Sequence, residues 1–234
     1  MGKLKNAMQT YPGMLMYVGD RKIDISGFMA RYCKINSGIR TKRFAKENRN
    51  IVAGRTVFLG DSITMLMKPE RDFPEIPAYN RGIDSETTWE IGARLKESVY
   101  DLKPSRVVFL AGTNDLFRAQ HTPDQIIRDY AKVLDDIVAF DPTIEVFCES
   151  VYPLRNSVRY NNEGLNGPVR ELNEKIRALC AERGFTYIDV WSHLVDGKGE
   201  FKKELTLDGT HPNKKGYKVV SSVVTPYLDG TVVE

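Results

Sequence analysis

The sequence predicts an α/β protein in which strands and helices alternate around a parallel sheet. From residue 55 onward, short apolar segments recur and longer amphipathic segments separate them. Three of the apolar segments, at 55–60, 105–111 and 143–149, have almost no polar interruption. Such runs are typical of central parallel strands that are covered on both faces. Strands that alternate with helices along one chain favour a layered sandwich.

The remaining elements follow from shorter patterns. Two more strands are expected at about 76–80 and 185–189, and helices are expected at about 86–100 and 167–183. Another helix begins at Thr122, which forms a capping-box pattern with Gln125 around Pro123. Gly184 stands where a glycine commonly ends a helix, and Asn213 is a good N-cap for the last helix.

Composition sets the broad class of protein. A chain of 234 residues with 41% hydrophobic content can bury one good core, in about one to two domains. No run of 18 apolar residues occurs, so no membrane span is expected, and the first residues lack the apolar core of a secretory signal. Cys33, Cys148 and Cys180 form no CxxC pair. We therefore expect a cytoplasmic protein without disulfides and without a metal site.

Charge is distributed unevenly along the chain. Residues 1–55 hold 12 Lys/Arg and 3 Asp/Glu, whereas the rest hold 22 and 28. A basic segment can bind nucleic acid or an anionic surface, but no nucleic-acid-binding motif accompanies this one. A solvated face, or packing on the acidic body or on a partner subunit, is favoured. We predict that 1–54 is a basic, mostly helical extension packed on a main domain at 55–234.

Small, polar and titratable residues follow the predicted strands. Ligands of an open parallel sheet bind beyond the carboxyl ends of its strands. These segments are Gly60 to Ser62 after the first strand, Asn80 to Gly82 after the second, Gly112 to Asp115 after the third, Ser150 to Pro153 after the fourth, and Asp208 to Pro212 before the last helix. We therefore expect the functional site at this edge.

Ser62 has two interpretations, a helix cap or a nucleophile. A serine hydroxyl needs a base to take its proton and a group to orient that base. Among His121, His193 and His211, only His211 has an aspartate, Asp208, three positions before it in a segment that can turn. The simpler interpretation of that segment is a turn that caps the last helix.

Ester chemistry at a serine also needs donors for the developing oxyanion. The candidates are the backbone N–H groups of Ser62 and Gly82 and the side-chain amide of Asn114. Each has a simpler interpretation, since Gly82 suits an ordinary loop and Asn114 an ordinary turn. Asp115 is interpreted as a hydrogen-bonding brace for that turn. The order of the blocks, each after a predicted strand, favours the functional reading.

With these blocks the chain resembles the SGNH hydrolase superfamily, also called the GDSL lipase/esterase family. The blocks are Gly60-Asp61-Ser62, Gly82 within Asn80-Arg81-Gly82-Ile83, Gly112-Thr113-Asn114-Asp115 and Asp208-Gly209-Thr210-His211. The resemblance implies a flavodoxin-like, three-layer α/β/α sandwich with a five-stranded parallel sheet. It implies Ser62 as nucleophile, His211 as base and Asp208 as its orienting group. It also implies an oxyanion hole of Ser62, Gly82 and Asn114, and no cofactor.

The segment after the fourth strand is polar and no long apolar lid is seen, so we expect a small-molecule ester with a short acyl group on a polar alcohol, such as a sugar or a lysophospholipid-like head group. The simpler interpretation is a solvated loop. Asp61, Ile63, Tyr152 and Arg155 are the candidate substrate contacts, and the polar loop at 152–166 is expected at the rim. A thioesterase, a carbohydrate deacetylase and a non-catalytic binding module on the same scaffold stay open. Two departures are the extension before the serine block, for which a homodimer contact is one role, and Ile63 in place of the family's leucine.

Overall fold

The computed structural model describes residues 15–18, 21–24, 26–157 and 162–232. Its main feature is a sheet of five strands, which are β3 (Thr56–Gly60), β4 (Ala78–Gly82), β5 (Arg106–Leu110), β6 (Glu145–Glu149) and β7 (Thr186–Ile188). Their order in the sheet is β4-β3-β5-β6-β7, and every neighbouring pair is parallel. The predicted five-stranded parallel sheet is therefore confirmed.

The central strands are apolar on both sides because both faces of the sheet are covered. Alternate residues of a strand point to opposite faces, so Val57 and Leu59 join one core while Phe58 joins the other. All of these side chains are buried. This explains why the central strands read as continuous apolar runs rather than as an alternation.

Helices form a layer on each face. One layer contains α4 (Thr88–Gly92), α5 (Leu95–Ser98), α6 (Thr113–Phe117), α7 (Pro123–Phe140) and α8 (Asn166–Arg183). The other contains α2 (Ser62–Leu66), α3 (Pro69–Asp72), α9 (Trp191–Leu194) and α10 (Lys214–Leu228). The molecule is thus the predicted three-layer sandwich. No helix among the described residues has both the length and the apolar character needed to cross a bilayer.

The helix-terminal signals hold. Thr122 accepts a hydrogen bond from the Gln125 N–H, and the Gln125 side chain accepts one from the Thr122 N–H. Gly184 ends α8 in the left-handed conformation with φ of 71°. The Asn213 side chain caps α10. Helices α7, α8 and α10 accordingly begin or end close to the predicted residues.

The prediction of one helix over 86–100 was wrong. The segment contains α4, α5 and a 3-10 turn at Tyr100–Leu102, and the helical conformation is interrupted at Arg94, between α4 and α5. Arg94 has non-helical dihedrals and directs its guanidinium inward, where it donates to the Gly60 carbonyl at 3.0 Å and to Glu86. These two contacts, one of them 34 positions away in the sequence, favour the interruption.

The N-terminal part consists of an antiparallel pair, β1 (Leu15–Val18) and β2 (Arg21–Asp24), followed by helix α1 (Ser26–Glu47). The sequence pattern did not predict the strand pair, and residues 1–14 lie outside the described part. The guanidinium carbon of Arg81, near the end of β4, lies 4.5 Å from the ring centroid of Phe44, a buried residue of α1. This contact joins α1 to the edge strand of the sheet.

Candidate active site

Ser62 is the first residue of α2, immediately beyond the carboxyl end of β3. The Asp61 carboxylate caps this helix by accepting a hydrogen bond from the Ile63 N–H at 2.9 Å. A Cβ on Gly60 would lie 2.1 Å from Thr64 Oγ1 and 2.6 Å from the Leu110 carbonyl oxygen. Only glycine allows so tight a turn, and the turn places the serine at the edge of the sheet.

The structure brings Ser62, His211 and Asp208 together. Ser62 Oγ lies 2.9 Å from His211 Nε2, although the two residues are 149 positions apart. On the other side of the ring, His211 Nδ1 lies 2.9 Å from Asp208 Oδ2. The serine hydroxyl therefore faces an imidazole whose far nitrogen is held by a carboxylate.

The turn that carries His211 is tightly fixed. Asp208 Oδ1 accepts hydrogen bonds from the N–H groups of His211 and Thr210, at 2.9 Å and 3.1 Å. Gly209 has φ of 90°, and a Cβ there would lie 2.1 Å from the Arg155 carbonyl oxygen. Partial burial acts to raise the pKa of Asp208, but the His211 N–H, the imidazole and the Thr210 N–H outweigh it and lower the pKa. Asp208 is therefore kept as an anion.

Of the three oxyanion donors named from the sequence, the Ser62 N–H is at the first turn of α2, where a helix leaves its N–H groups without intrahelical acceptors. The Gly82 N–H donates to Asn80 Oδ1 at 2.9 Å. A Cβ on Gly82 would lie 2.2 Å from the Met65 nitrogen. Gly82 thus allows α2 to approach β4, and its N–H already has an acceptor.

Asn114 lies in α6 beside the serine turn. Its Nδ2 atom donates to Asp61 Oδ2 at 3.1 Å and to the Glu86 carbonyl at 3.0 Å. The neighbouring Asp115 accepts hydrogen bonds from the N–H and hydroxyl of Thr88, at 2.9 Å and 3.1 Å. Asp115 is therefore a brace, as predicted, and Asn114 is held between the serine turn and the loop after β4.

Ser85, which lies in that loop, was not among the site residues predicted from the sequence. Ser85 has φ of 64°, a left-handed conformation that is uncommon for a residue with a Cβ. No described residue accepts a hydrogen bond from its backbone N–H. A glycine here would have signalled the special backbone, but a serine gives no such signal.

The four candidate substrate contacts have partners within the protein. Asp61, Ile63 and Tyr152 are buried, and the Tyr152 hydroxyl donates to Glu149 at 2.5 Å. The Arg155 guanidinium contacts the Phe201 carbonyl, Asp196 and Glu200. Binding of substrate by these four stays a prediction. Residues 158–161, expected at the rim, lie outside the described part.

The carboxyl groups near the serine differ from Asp208 in their pKa values because they are more deeply buried. Burial raises the pKa of Asp61 to about 7, helped by Asp115, Asp84 and Glu86 and opposed by the Ile63 N–H. Burial likewise raises the pKa of Asp115 to about 6, against the hydrogen bonds from Thr88. Of Asp61, Asp115 and Asp208, Asp208 is the one whose environment lowers the pKa and favours the charged form beside the imidazole.

The chain matches the model of the GDSL-like lipase/acylhydrolase family over residues 58–219. No curated protein matches it. Among solved structures, a Streptococcus pneumonia protein described as a platelet activating factor is 21% identical with a TM-score of 0.79, over 86% of this chain and 97% of that one.

Two further structures share the fold. A GDSL-like lipase from Bacteroides thetaiotaomicron is 24% identical, with a TM-score of 0.74 over 82% of this chain and 98% of that one. A carbohydrate esterase family 3 protein from Talaromyces cellulolyticus is 19% identical, with a TM-score of 0.60 over 76% and 97%. With the family match covering every block of the site, the chain belongs to the GDSL-like lipase/acylhydrolase family and is a carboxylic ester hydrolase.

Proposed function

We propose that this hydrolase works through an acyl-enzyme on Ser62 and removes short acyl groups from a polar alcohol. The observation that carries the proposal is the hydrogen-bonded series Ser62 Oγ, His211 Nε2, His211 Nδ1 and Asp208 Oδ2, with a distance of 2.9 Å at each of its two contacts. A hydroxyl, a base and an orienting anion in this order are the arrangement that activates a serine.

In acylation, the Ser62 oxygen attacks the ester carbonyl carbon while its proton passes to His211 Nε2. The carbonyl electron pair moves to oxygen and forms a tetrahedral oxyanion. The new imidazolium is stabilised by Asp208, whose pKa is lowered and whose charge persists at neutral pH. The oxyanion then re-forms the carbonyl, the C–O bond to the alcohol breaks, and the alcohol leaves with the proton from His211.

In deacylation, water takes the place of the alcohol. His211 Nε2 accepts a proton from the water as its oxygen attacks the acyl carbon. The second tetrahedral intermediate collapses, the bond to Ser62 Oγ breaks, and the serine regains its proton from the imidazolium. Acid and free enzyme are the products, and the atoms balance without a cofactor.

The oxyanion donors in this proposal are the Ser62 N–H, one backbone N–H of the loop after β4, and the Asn114 amide, which would exchange its hydrogen bond to Asp61 Oδ2 for one to the oxyanion and keep the one to the Glu86 carbonyl. Loss of one such donor typically costs about 2.7–4 kcal/mol of transition-state stabilisation. Gly82 was the expected loop donor, but its N–H is bonded to Asn80, whereas the Ser85 N–H has no acceptor among the described residues. Ser85 is therefore the better supported loop donor.

A short acyl group on a polar alcohol is supported by the polar sequence that follows β6 and by the shared fold with a carbohydrate esterase family 3 protein. The same likeness favours deacetylation of a sugar as the second candidate. A panel of acetyl, butyryl and dodecanoyl nitrophenyl esters, together with acetylated sugars, tests both. A clear preference for the dodecanoyl ester would contradict the short-acyl assignment.

The Ser62→Ala variant tests the nucleophile. We expect turnover to fall by several orders of magnitude with an unchanged melting temperature, because the hydroxyl is the only group removed. A fluorophosphonate should add its mass to the peptide that contains Ser62 in the wild type and leave the variant unlabelled. Labelling of another residue, or unchanged turnover, would refute the acyl-enzyme, and no labelling would favour a binding module.

A further inference from the structure

Helix α1 reaches the loop after β4 through the side chain of Ser37. Ser37, in the middle of the helix, donates a hydrogen bond from its hydroxyl to Glu86 Oε1 at 2.6 Å. Glu86 directly follows Ser85, and its backbone carbonyl accepts the hydrogen bond from Asn114 Nδ2. One residue of the loop after β4 therefore joins the N-terminal helix to the amide proposed to stabilise the oxyanion.

The Glu86 carboxylate is almost fully buried and has two partners. Its other oxygen, Oε2, accepts a hydrogen bond from Arg94 Nε at 2.6 Å, and both side chains are 4% exposed or less. Burial acts to raise the pKa of Glu86, and Arg94 and the Ser37 hydroxyl oppose that rise. A buried carboxylate oxygen without a donor is unfavourable, so loss of the hydroxyl should shift the loop.

We infer that α1 positions the oxyanion-binding loop, with Ser37 as the positioning residue and Glu86 as the group it holds. The inference rests on the serine mechanism proposed above. Ser37 does not itself reach the reacting atoms. It acts through Glu86 on Asn114 and on the adjoining Ser85 N–H. The basic extension would then be part of the catalytic unit.

The test compares Ser37→Ala with a matched control on the same segment. Asn48→Ala removes two hydrogen bonds between the N-terminal part and the body, to the Glu97 carbonyl and from Arg81, but neither reaches Glu86. For Ser37→Ala we expect kcat to fall about threefold to thirtyfold with little change in KM, less than the 10²–10³ that loss of a whole donor costs. Ser37→Thr, which keeps the hydroxyl, should restore kcat, and Asn48→Ala should leave it within about twofold.

A second readout separates positioning from simple destabilisation. The rate at which a phosphonate ester inactivates the enzyme depends on the oxyanion donors, and it should fall in parallel with kcat in Ser37→Ala. Equal losses of kcat in Ser37→Ala and Asn48→Ala would overturn the inference, since docking of the helix alone would explain both. If Asn114→Ala keeps full kcat, the proposed oxyanion role itself fails. If Asn114→Ala loses activity and Ser37→Ala does not, only the positioning role fails.

The outer face of α1 carries an independent observation. Phe28, Tyr32, Ile35 and Ile39 are 69%, 49%, 52% and 63% exposed. At 3.6 residues per turn they form one stripe, roughly opposite the face that holds Ser37 and Phe44. Their spacing of four, three and four residues is that of a coiled-coil seam. The helix thus carries a second apolar stripe, which does not take part in its contact with the body.

We propose that this outer stripe pairs antiparallel with the same stripe of a second copy of the chain. A seam that faces itself across a two-fold axis is self-complementary, and Phe28 would face the partner's Ile39 while Tyr32 faces the partner's Ile35. The next seam position is Lys42. Parallel pairing would oppose the two Lys42 side chains, whereas the antiparallel register leaves them outside the four layers.

Four layers make a small interface compared with the roughly 1,200–2,000 Å² that stable complexes bury. We therefore expect a monomer–dimer equilibrium, measured by sedimentation from low to several hundred micromolar chain. Ile35→Glu with Ile39→Glu should leave only monomer, while Val52→Glu, which charges an equally exposed residue outside the stripe, should not. Under oxidation, a mixture of Phe28→Cys and Ile39→Cys chains should cross-link faster than either alone.

A wild-type chain that stays monomeric at every concentration would overturn the proposed dimer. Residues 1–14 of the same chain would then be the candidate to contact the outer stripe of α1. A dimer that persists in the double glutamate variant would show that the contact lies elsewhere. Cross-links that form fastest between identical cysteine positions would overturn the antiparallel register.

Discussion

The turn at 60–62 and the turn at 206–213 each place an aspartate beside a side chain of the proposed triad, yet the pKa values of the two aspartates shift in opposite directions. Asp61 is buried, and burial raises its pKa to about 7. Asp208 is partly exposed, accepts several N–H groups, and has a lowered pKa. Asp61 caps a helix and accepts a hydrogen bond from Asn114, which are structural tasks. In the proposed mechanism, Asp208 supplies the negative charge that stabilises the His211 imidazolium.

Asp208→Asn gives the largest expected effect. The amide keeps the size of the side chain but loses the charge that stabilises protonated His211 and selects its tautomer. We expect kcat to fall on the order of 10³- to 10⁴-fold, as in other serine triads. Steady-state kinetics measure this, with circular dichroism as the control for folding. A loss below tenfold would show that the charge of Asp208 is not required.

Asp61→Asn should have a smaller effect on catalysis. The amide oxygen can still cap α2, but its NH₂ group would face Asn114 Nδ2, so that Asn114 turns or shifts. We expect kcat to fall about tenfold to a hundredfold, below the loss for a missing donor. A loss as large as that of Asp208→Asn would contradict the division of tasks between the two turns.

The smallest effect concerns stability as a function of pH, where the two aspartates act with opposite sign. Because the folded-state pKa of Asp61 is raised, its ionisation destabilises the fold progressively from about pH 4 to about 7. Asp61→Asn removes that penalty, so its melting temperature should gain on the wild type as pH rises through this window. Asp208 has a lowered pKa, so its stabilisation is present above the unfolded-state value and is lost as the pH falls below it.

Melting curves at several pH values between 4 and 8 measure both effects, with shifts of about 2–4 °C per kcal/mol for a chain of this size. Asp208→Asn should differ most from the wild type at neutral pH and least in acid. Parallel curves for the two variants would show that burial does not distinguish the turns.

Strands and helix ends were predictable because their signals are local. The continuous apolar runs follow from a sheet covered on both faces, and the caps at Thr122 and Asn213 depend on residues within one turn. The meeting of Ser62 with His211 could be expected because the sequence placed Ser62 after the first strand of the sheet and His211 just before the last helix, at the same edge. The blocks in the sequence therefore contained most of the site.

The missed features depend on distant partners. The helix is interrupted at Arg94, whose side chain binds the Gly60 carbonyl 34 positions away, and no pattern within 86–100 encodes that contact. The left-handed backbone of Ser85 is hidden by the presence of a Cβ. The hydrogen bond from the Gly82 N–H to Asn80 joins residues only two positions apart, but a sequence motif cannot show which acceptor a loop N–H finds.

The turn that carries the base is interlocked with the loop that follows β6. The Arg155 N–H donates to the Gly209 carbonyl at 2.8 Å, and Asn162 Nδ2 donates to the Arg155 carbonyl at 3.0 Å and to Thr210 Oγ1 at 3.1 Å. A change in the length of this loop would therefore also shift the turn that holds the His211 imidazole. Substitutions that keep these three contacts would leave the imidazole in place.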